Sequence, residues 1–168
     1  VYDLLTEEVT FEECRIAEIQ KNLDILPSDM NLAGAEIEFQ EIEDKEKLLR
    51  SYLEKIKDDY DFILIDCPPS LNILTITALT AADTVLVPIQ CEYYALEGLG
   101  QVLKTVDLVK RKLNPGLELE GVVFTMYDAR TNLSLEVVEN VKSNLNRTIY
   151  KTIIPRNVRL AEAPSHGM

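Results

Sequence analysis

The chain has 168 residues, of which 46% are hydrophobic and 27% charged, and its formal net charge is −12 at pH 7. This length and apolar content are enough for one domain with a real core. No apolar stretch approaches the roughly 20 residues of a membrane span. The three cysteines are far apart and odd in number, which favours neither a disulfide framework nor a Cys-x-x-Cys metal site. The composition predicts a cytoplasmic globular protein with reduced cysteines.

The first third of the chain predicts short helices and one strand. Residues 2–8 and 11–14 are typical of helical pieces, and residues 23–26 form an apolar run that ends at a proline, as a strand would. Within residues 42–57, apolar side chains recur at helical spacing among lysines and glutamates. That pattern predicts a helix with one packed face and one solvated face.

The next signal is a run of four apolar residues, 62–65, that ends in Asp66 and the double proline Pro68-Pro69. Such a run predicts a buried strand of a parallel sheet, and ligands of these sheets bind beyond the carboxyl ends of the strands. In P-loop NTPases an acid at this position helps to hold the Mg²⁺ of a bound nucleotide. Taken alone, the pattern fits an aspartate that merely begins a turn at least as well.

The remaining residues alternate helix and strand. The predicted elements are helix 70–79, with Ser70 or Asn72 as its start, strand 84–88, helix 94–113, strand 119–126, helix 134–145 and strand 149–154. Five strands separated by helix-bearing crossovers predict an α/β fold with a doubly wound, mainly parallel sheet and helices on both faces. All five strands are expected to be parallel and to belong to one domain that spans residues 1–168.

Charge is distributed unevenly along the chain. Residues 1–100 hold 7 basic and 22 acidic residues, a net charge of −15, whereas residues 101–168 hold 10 basic and 7 acidic residues, a net charge of +3. A basic surface would suit a polyanion, because phosphate neutralisation dominates non-specific DNA binding. A net charge of +3 is small, however, and taken alone it favours an ordinary solvated surface.

Four separated segments stand in order: YDFILIDCPPSLN, VPIQCEYYALEGL, TMYDARTNLS and IPRNVRLAEAPSHG. Together with VYDLL and LDILPSDMNLAGAEIE, they resemble the ParA/Soj-type chromosome-partitioning ATPases of the ParA/MinD family of P-loop NTPases over nearly the whole chain. The family's KGGVGKTT phosphate loop has no counterpart, since no Gly-Lys-Thr or Gly-Lys-Ser occurs. We therefore expect a partial ATPase domain that lacks the phosphate loop and the C-terminal helix. By itself it should hydrolyse ATP poorly, because nothing in it cradles phosphate.

The resemblance implies that the complete protein binds ATP and Mg²⁺. It implies that Asp66 is the catalytic acid and holds Mg²⁺ through water, and that Pro68, Pro69 and Ser70 form a phosphate-sensing switch; a simple helix stop is the alternative for the two prolines. Residues after two later strands are implied to border the nucleotide base: Thr125, Met126, Asp128, Pro155, Arg156 and Asn157.

The resemblance also implies partners. Arg130 and Arg159 are implied to hold DNA without sequence preference, and the weaker candidates are Lys104, Lys110, Arg111, Lys112 and Arg156. A homodimer is implied, with Glu92, Tyr93, Tyr94 and Glu97 near its surface. A ParB-like protein would stimulate hydrolysis on the nucleoid in the cytoplasm, with no membrane involved.

Two alternatives stay open. A MinD-like ATPase that cycles on membranes shares the IDCPP segment, although EYYALEGL, DARTN and PRNVRL are closer to the Soj pattern. A non-catalytic interaction module would bind partners without turning over nucleotide. A buried strand that lacks its neighbour exposes unpaired backbone groups, so the segment is expected either to self-associate through such an edge or to have the missing portion supplied elsewhere.

Overall fold

A computed structural model describes residues 1–6, 8–29, 31–32, 34, 44–68 and 70–166. The chain forms two compact units, which are described separately: unit 1 comprises Val1–Ala82 and unit 2 comprises Asp83–Met168.

Unit 1 is built from short elements. They are α1 (Tyr2–Leu5), α2 (Phe11–Cys14), β1 (Ile16–Gln20), β2 (Leu23–Ile25), α3 (Leu48–Leu53) and α4 (Ile73–Ala81), with single 3₁₀ turns at Lys45–Lys47 and Lys57–Asp59. Leu5 is buried at the centre of an apolar cluster that includes Leu48, Leu49, Tyr52 and Leu74. The cluster therefore joins α1, α3 and α4.

The strands β1 and β2 form an antiparallel hairpin, with Ile16 opposite Ile25. Its turn contains Asn22 at a φ of 62°, a left-handed conformation that asparagine tolerates. Glu18 also has a positive φ, 48°, and its N–H donates to Asp24 Oδ1 at 2.7 Å. The prediction that all strands are parallel is wrong for β2, and β1 was not predicted. Two adjacent strands with a tight turn between them pair antiparallel, since a parallel pair needs a long crossover.

The predicted helix over residues 42–57 is shorter than its apolar pattern suggested. Asp44 has a left-handed φ of 55°, the α-helical part is Leu48–Leu53, and a separate 3₁₀ turn follows. Residues 41–43 lie outside the described part of the chain.

The predicted buried strand over residues 62–65 is wrong. Residues 62–68 lie in neither a helix nor a strand, and the side chains of Phe62 and Leu64 are 84% and 92% exposed. A strand exists only when a neighbour completes its backbone hydrogen bonds. The two sheets formed by the described residues are made from β1–β2 and from three later strands, and neither includes this segment.

Unit 2 is a three-stranded parallel sheet with two long helices. Its elements are β3 (Thr84–Gln90), α5 (Ala95–Lys112), β4 (Glu118–Tyr127), α6 (Asn132–Asn144), β5 (Ile149–Pro155), α7 (Val158–Glu162) and a 3₁₀ turn at Ala163–His166. The strand order is β3-β4-β5, and both pairs are parallel. The α/β class and the parallel sheet are thus confirmed.

Strand alternation explains the core of unit 2. Val87 and Ile89 of β3 share one face of the sheet with Val122 and Phe124 of β4. Leu99 of α5 packs against them, as do three valines of α6, Val137, Val138 and Val141. This packed face holds β3, β4 and β5 in place, so their carboxyl ends meet at one edge.

Candidate functional site

Three loops meet at the carboxyl ends of β3, β4 and β5, where parallel α/β sheets bind their ligands. Backbone hydrogen bonds join the loops: the N–H of Cys91 donates to the carbonyl of Thr125 at 3.2 Å, and the N–H of Arg156 donates to the carbonyl of Tyr127 at 2.9 Å. We call this region, from Cys91 to Tyr94, from Thr125 to Thr131 and from Pro155 to Asn157, the strand-end site.

Asp128 is the most strongly perturbed acid of the strand-end site. Its Oδ1 accepts hydrogen bonds from the backbone N–H and the Nε of Arg130, at 3.0 and 2.9 Å, and its Oδ2 accepts one from Nη2 at 2.7 Å. The guanidinium bonds, followed by the backbone bond, hold the pKa of Asp128 well below its usual range, and the nearby charge of Arg156 adds to this effect. Asp128 is therefore ionised, and it orients a guanidinium that is 86% exposed.

A second ion pair crosses the site from β3 to β5. Arg156 Nη2 lies 3.0 Å from Glu92 Oε1, although the two residues are 64 positions apart in the sequence. With the Asp128–Arg130 pair, charges of opposite sign alternate across the edge. Both members of each pair reach solvent, so the pairs contribute little stability.

Two other polar side chains of this edge form hydrogen bonds within the protein. Thr125 Oγ1 donates to the carbonyl of Ile89 at 3.2 Å, and Asn157 Oδ1 accepts from the N–H of Arg159 at 2.9 Å, which caps α7. Met126 has a left-handed φ of 52°, rare for an unbranched apolar residue, and its side chain reaches the surface. Such outliers concentrate at functional sites. Met126 and Pro155 leave exposed apolar surface at this edge, which suits a flat ring.

All six residues predicted to border a base lie at this one edge, and Arg130 lies there too. Tyr93 and Tyr94 form an edge-to-face pair with ring centroids 5.2 Å apart, and each side chain is 75% exposed. The Glu92–Arg156 pair was not predicted, because no local pattern connects residues so far apart in sequence.

The predicted basic candidates divide between two ends of the sheet. Lys110, Arg111 and Lys112 occupy the last turn of α5, which leads into the amino-terminal end of β4. Arg130 and Arg156 follow the carboxyl ends of β4 and β5. At about 3.3 Å per residue, a strand as long as β4 separates the two groups by roughly 30 Å, so they do not form one compact patch.

Asp66 is an exposed carboxylate in unit 1, between the irregular segment and Cys67. Pro68 is exposed as well, whereas Pro69 lies outside the described residues. The carbonyl of Ser70 accepts a hydrogen bond from Thr75 Oγ1 at 2.6 Å, and Asn72 caps α4 by accepting from the N–H of Thr75. Within the described ranges no group of three or more His, Cys, Asp or Glu side chains could hold a metal. The magnesium role of Asp66 stays a prediction.

The part of the chain that the structure describes contains no helix both long and apolar enough to cross a bilayer.

The family model described as "AAA domain" matches residues 1–119. Sporulation initiation inhibitor protein Soj of Bacillus subtilis (strain 168) is 54% identical over 167 residues, which cover 99% of this chain and 66% of that protein. Chromosome partitioning protein ParA of Myxococcus xanthus is 46% identical over 99% of this chain and 59% of its own length. The chain thus spans slightly less than two thirds of these curated relatives.

Solved structures share the fold of this chain. A cobyrinic acid a,c-diamide synthase from Mycobacterium smegmatis with bound ADP and magnesium superposes with a TM-score of 0.86 at 33% identity, covering 100% of this chain and 73% of that one. A plasmid partition protein from Borrelia burgdorferi gives a TM-score of 0.74 at 30% identity, covering 88% of this chain and 60% of the other. These matches, the family model and the parallel α/β sheet agree: the chain belongs to the AAA-domain family of ParA/Soj-type chromosome-partitioning ATPases.

Proposed function

We propose that this chain is the part of a partitioning ATPase that receives the nucleotide base and contacts DNA. In the complete protein, ATP with Mg²⁺ binds at the strand ends and promotes a homodimer, and the dimer holds DNA without sequence preference. A ParB-like partner stimulates hydrolysis, and release from DNA resets the cycle on the nucleoid in the cytoplasm. The observation that carries this proposal is the convergence of the three loops at the strand-end site in a chain of this family.

The residues at the strand-end site fit an adenine ring. Thr125 and Asp128 form hydrogen bonds within the protein. The exposed apolar surface of Met126 and Pro155, together with backbone groups, suits a flat ring with a polar edge. Thr125, Asp128, Arg156 and Asn157 are proposed to hold the loops after β4 and β5 in position around the base.

Asp66 is proposed to hold Mg²⁺ through water. An exposed carboxylate with space around it fits this role, because Mg²⁺ gives up its water shell reluctantly and uses one or two carboxylates besides phosphate. Pro68 and Pro69 are proposed to transmit a shift at Asp66 to α4, because two successive prolines restrict φ and make the connecting backbone stiff. The bound ion would neutralise charge on the phosphates, and the protein's contribution is positioning.

Arg130 and Arg159 are proposed as the DNA contacts. Arg159 is exposed on α7, directly after the last strand. Asp128 orients the Arg130 guanidinium through Nε and Nη2, and the remaining N–H donors on Nη1 and Nη2 suit phosphate oxygens.

DNA binding by the complete protein with Mg-ATP tests the surface. Arg130→Ala and Arg159→Ala should each weaken affinity and flatten the dependence of log K on log salt by about one phosphate contact. Lys142→Ala, in the last turn of α6 and not among the predicted DNA contacts, removes the same charge and is the matched control. Unchanged salt slopes in both arginine variants, or an equal change in the lysine variant, would remove these arginines from the proposed surface.

ATP hydrolysis by the complete protein tests the nucleotide role. Asp66→Asn should lower the rate of Mg-dependent turnover and weaken its dependence on Mg²⁺ concentration, both basally and with the ParB-like partner. Full activity of this variant would contradict the role of Asp66. Absence of any turnover in the unsubstituted complete protein would favour a non-catalytic interaction module.

A further inference from the structure

Unit 1 contains a groove that is separate from the strand-end site. Its volume is about 450 Å³. One side is formed by residues 8–13, at the start of α2, and the other by Tyr52 of α3 with Lys55 and Ile56. That volume is in the usual range for sites that take a small ligand or a few side chains. Four side chains give the groove an apolar floor: Val9, Phe11, Tyr52 and Ile56.

Both aromatic rings of the groove already carry a cation from the chain itself. The Nζ of Lys55 lies 5.1 Å from the ring centroid of Tyr52, and the guanidinium carbon of Arg15 lies 5.8 Å from the ring centroid of Phe11. A cation within about 6 Å of a ring centroid is attracted by the negative face of the ring. Lys55 itself lines the groove, so an ammonium group already occupies part of it.

Three carboxylates line the groove as well: Glu8, Glu12 and Glu13. The carboxylate of Glu13 accepts hydrogen bonds from the backbone N–H and the hydroxyl of Thr10, both at 2.8 Å. The backbone bond above all lowers the pKa of Glu13, which therefore stays ionised. Glu12 pairs with Arg15, whose guanidinium also faces the Phe11 ring.

The charge of the whole unit acts in the same direction. Unit 1 holds 7 basic and 19 acidic residues, which is the full net charge of −12, whereas unit 2 holds 10 of each. A cationic partner is therefore drawn to unit 1 by its net field. The apolar floor adds a requirement that charge alone does not meet, since a bare polycation would leave it uncovered.

We propose that this groove docks a basic segment of a partner protein. An arginine or lysine of the partner replaces Lys55 on the face of Tyr52, and an apolar neighbour of that residue covers Phe11 and Ile56. Lys55 is exposed on a flexible four-carbon stem, so its ammonium can move aside without disturbing the backbone. None of the residues that line the groove is a proposed nucleotide or DNA contact.

A fluorescent pentapeptide, acetylated and amidated, with the sequence Arg-Leu-Arg-Leu-Arg is a suitable probe, measured by anisotropy on the unsubstituted chain. The peptide Arg-Ser-Arg-Ser-Arg carries the same charge without apolar side chains. We expect the serine peptide to bind at least about threefold more weakly, because the floor contributes to docking. Equal affinities would show that only diffuse charge attraction operates and would overturn the proposal.

Two substitutions locate the probe. Lys55→Met removes the internal competitor and should strengthen binding of the leucine peptide by about threefold, whereas Tyr52→Leu removes the ring and should weaken it by a similar factor. Lys47→Met makes the same charge change at an ion pair with Asp44, away from the groove, and should alter affinity far less. An equal gain in the Lys47 variant, or no gain in the Lys55 variant, would overturn the proposal.

Tyr52 also packs against Leu5 in the core of unit 1, so its loss could unfold the unit. Tyr52→Phe keeps the ring and the packing and should bind the leucine peptide as the unsubstituted chain does. A folded Tyr52→Phe variant that loses binding would contradict the cation–ring contact, and the Lys55 variant tests the site without touching the core.

Discussion

Asp128 and Arg130 illustrate how two neighbouring residues set the charge state of the strand-end site. The pKa of Asp128 is depressed, so its carboxylate stays ionised as the pH falls through the ordinary aspartate value of about 3.9. A depressed pKa means that the stabilisation from this pair is fully present above that value and is lost only at lower pH. Near neutral pH the pair is therefore constant, and its role is to orient the Arg130 guanidinium.

Replacing Arg130 by alanine should raise the pKa of Asp128 towards its ordinary value. The guanidinium bonds are the largest cause of the depression, and the backbone N–H of residue 130 would keep part of it. A titration of the Asp128 carboxyl carbon by NMR measures the midpoint. Arg147→Ala, beside Asp107, is the control and should leave Asp128 unmoved. An unchanged midpoint in the Arg130 variant would mean that the ion pair does not persist in solution.

The Asp128–Arg130 pair gives Arg130→Ala two separate effects on DNA affinity. Arg130→Ala removes a cation and also exposes the Asp128 carboxylate, which would repel phosphate. Part of any loss of affinity would then come from the uncovered acid. Combining Arg130→Ala with Asp128→Asn separates the two contributions, since the double variant lacks both charges.

Gly121 is a residue whose substitution should have a large effect on stability. A Cβ at this position would lie 2.8 Å from Tyr150 Cε2 and 3.2 Å from the carbonyl oxygen of Thr148. Gly121→Ala should therefore lower the free energy of unfolding by about 1–3 kcal/mol, as forced overpacking does, and chemical denaturation would measure it. Gly116→Ala is the matched control, because its nearest neighbour would be Asn114 Oδ1 at 3.6 Å. Equal stability of the two variants would contradict the close approach of Tyr150 to β4.

At the residue scale, the sequence predicted where residues lie in the sheet better than it predicted which side chains contact each other. The residues that follow β4 and β5 could be assigned to one edge, because parallel strands present their carboxyl ends together. The ion pair between Glu92 and Arg156 could not be predicted, since it depends on how two loops far apart in sequence approach each other. The left-handed φ of Met126 likewise has no local signature.

Elements with strong end signals were predicted best. Helix α5 was expected over residues 94–113 and spans Ala95–Lys112, because Asn114, Pro115 and Gly116 stop it where the apolar pattern ends. Strands β3, β4 and β5 were each located to within two residues at either end. The prediction of a strand over residues 62–65 is wrong because four apolar residues form a strand only when a hydrogen-bonding neighbour is present.

Helix α4 carries three buried threonines with different hydrogen-bond status. The hydroxyl of Thr77 is the one buried side-chain polar group of the described residues without a hydrogen-bond partner. By contrast, Thr75 donates to the carbonyl of Ser70 at 2.6 Å, and Thr80 donates to the carbonyl of Ile76 at 2.7 Å. A buried hydroxyl without a partner loses its hydration and gains nothing in return.

Thr77→Val and Thr75→Val should therefore change stability in opposite directions. Both substitutions replace a hydroxyl by a methyl group of similar shape. Thr77→Val should raise the free energy of unfolding by about 1 kcal/mol, and Thr75→Val should lower it by about the same amount, since it breaks a hydrogen bond at the start of the helix. Thermal or urea unfolding measures both. Destabilisation by Thr77→Val equal to that by Thr75→Val would mean that the Thr77 hydroxyl has a partner.

At the scale of the whole molecule, the two units differ in net charge and in the size of their packed cores. Unit 2 has a packed three-stranded core and no net charge, whereas unit 1 carries the whole net charge of −12 and consists of short elements. Charge repulsion and small apolar clusters both reduce the stability of unit 1. The family resemblance could predict the α/β class but not this division, because it follows from which segments find packing partners.

The exposed segment 62–65 should govern self-association of the chain. Large apolar side chains that are almost fully exposed, together with unpaired backbone groups, favour pairing between molecules. Phe62 and Leu64 meet the first condition.

Sedimentation equilibrium of the unsubstituted chain should therefore show a weight-average mass that rises with protein concentration, and the double variant Phe62→Lys, Leu64→Lys should sediment as a monomer. A matched variant with Val158→Lys and Leu160→Lys, which are also exposed but lie on α7, should associate like the unsubstituted chain. A concentration-independent monomer in all three, or equal loss of association in both variants, would contradict association through residues 62–65.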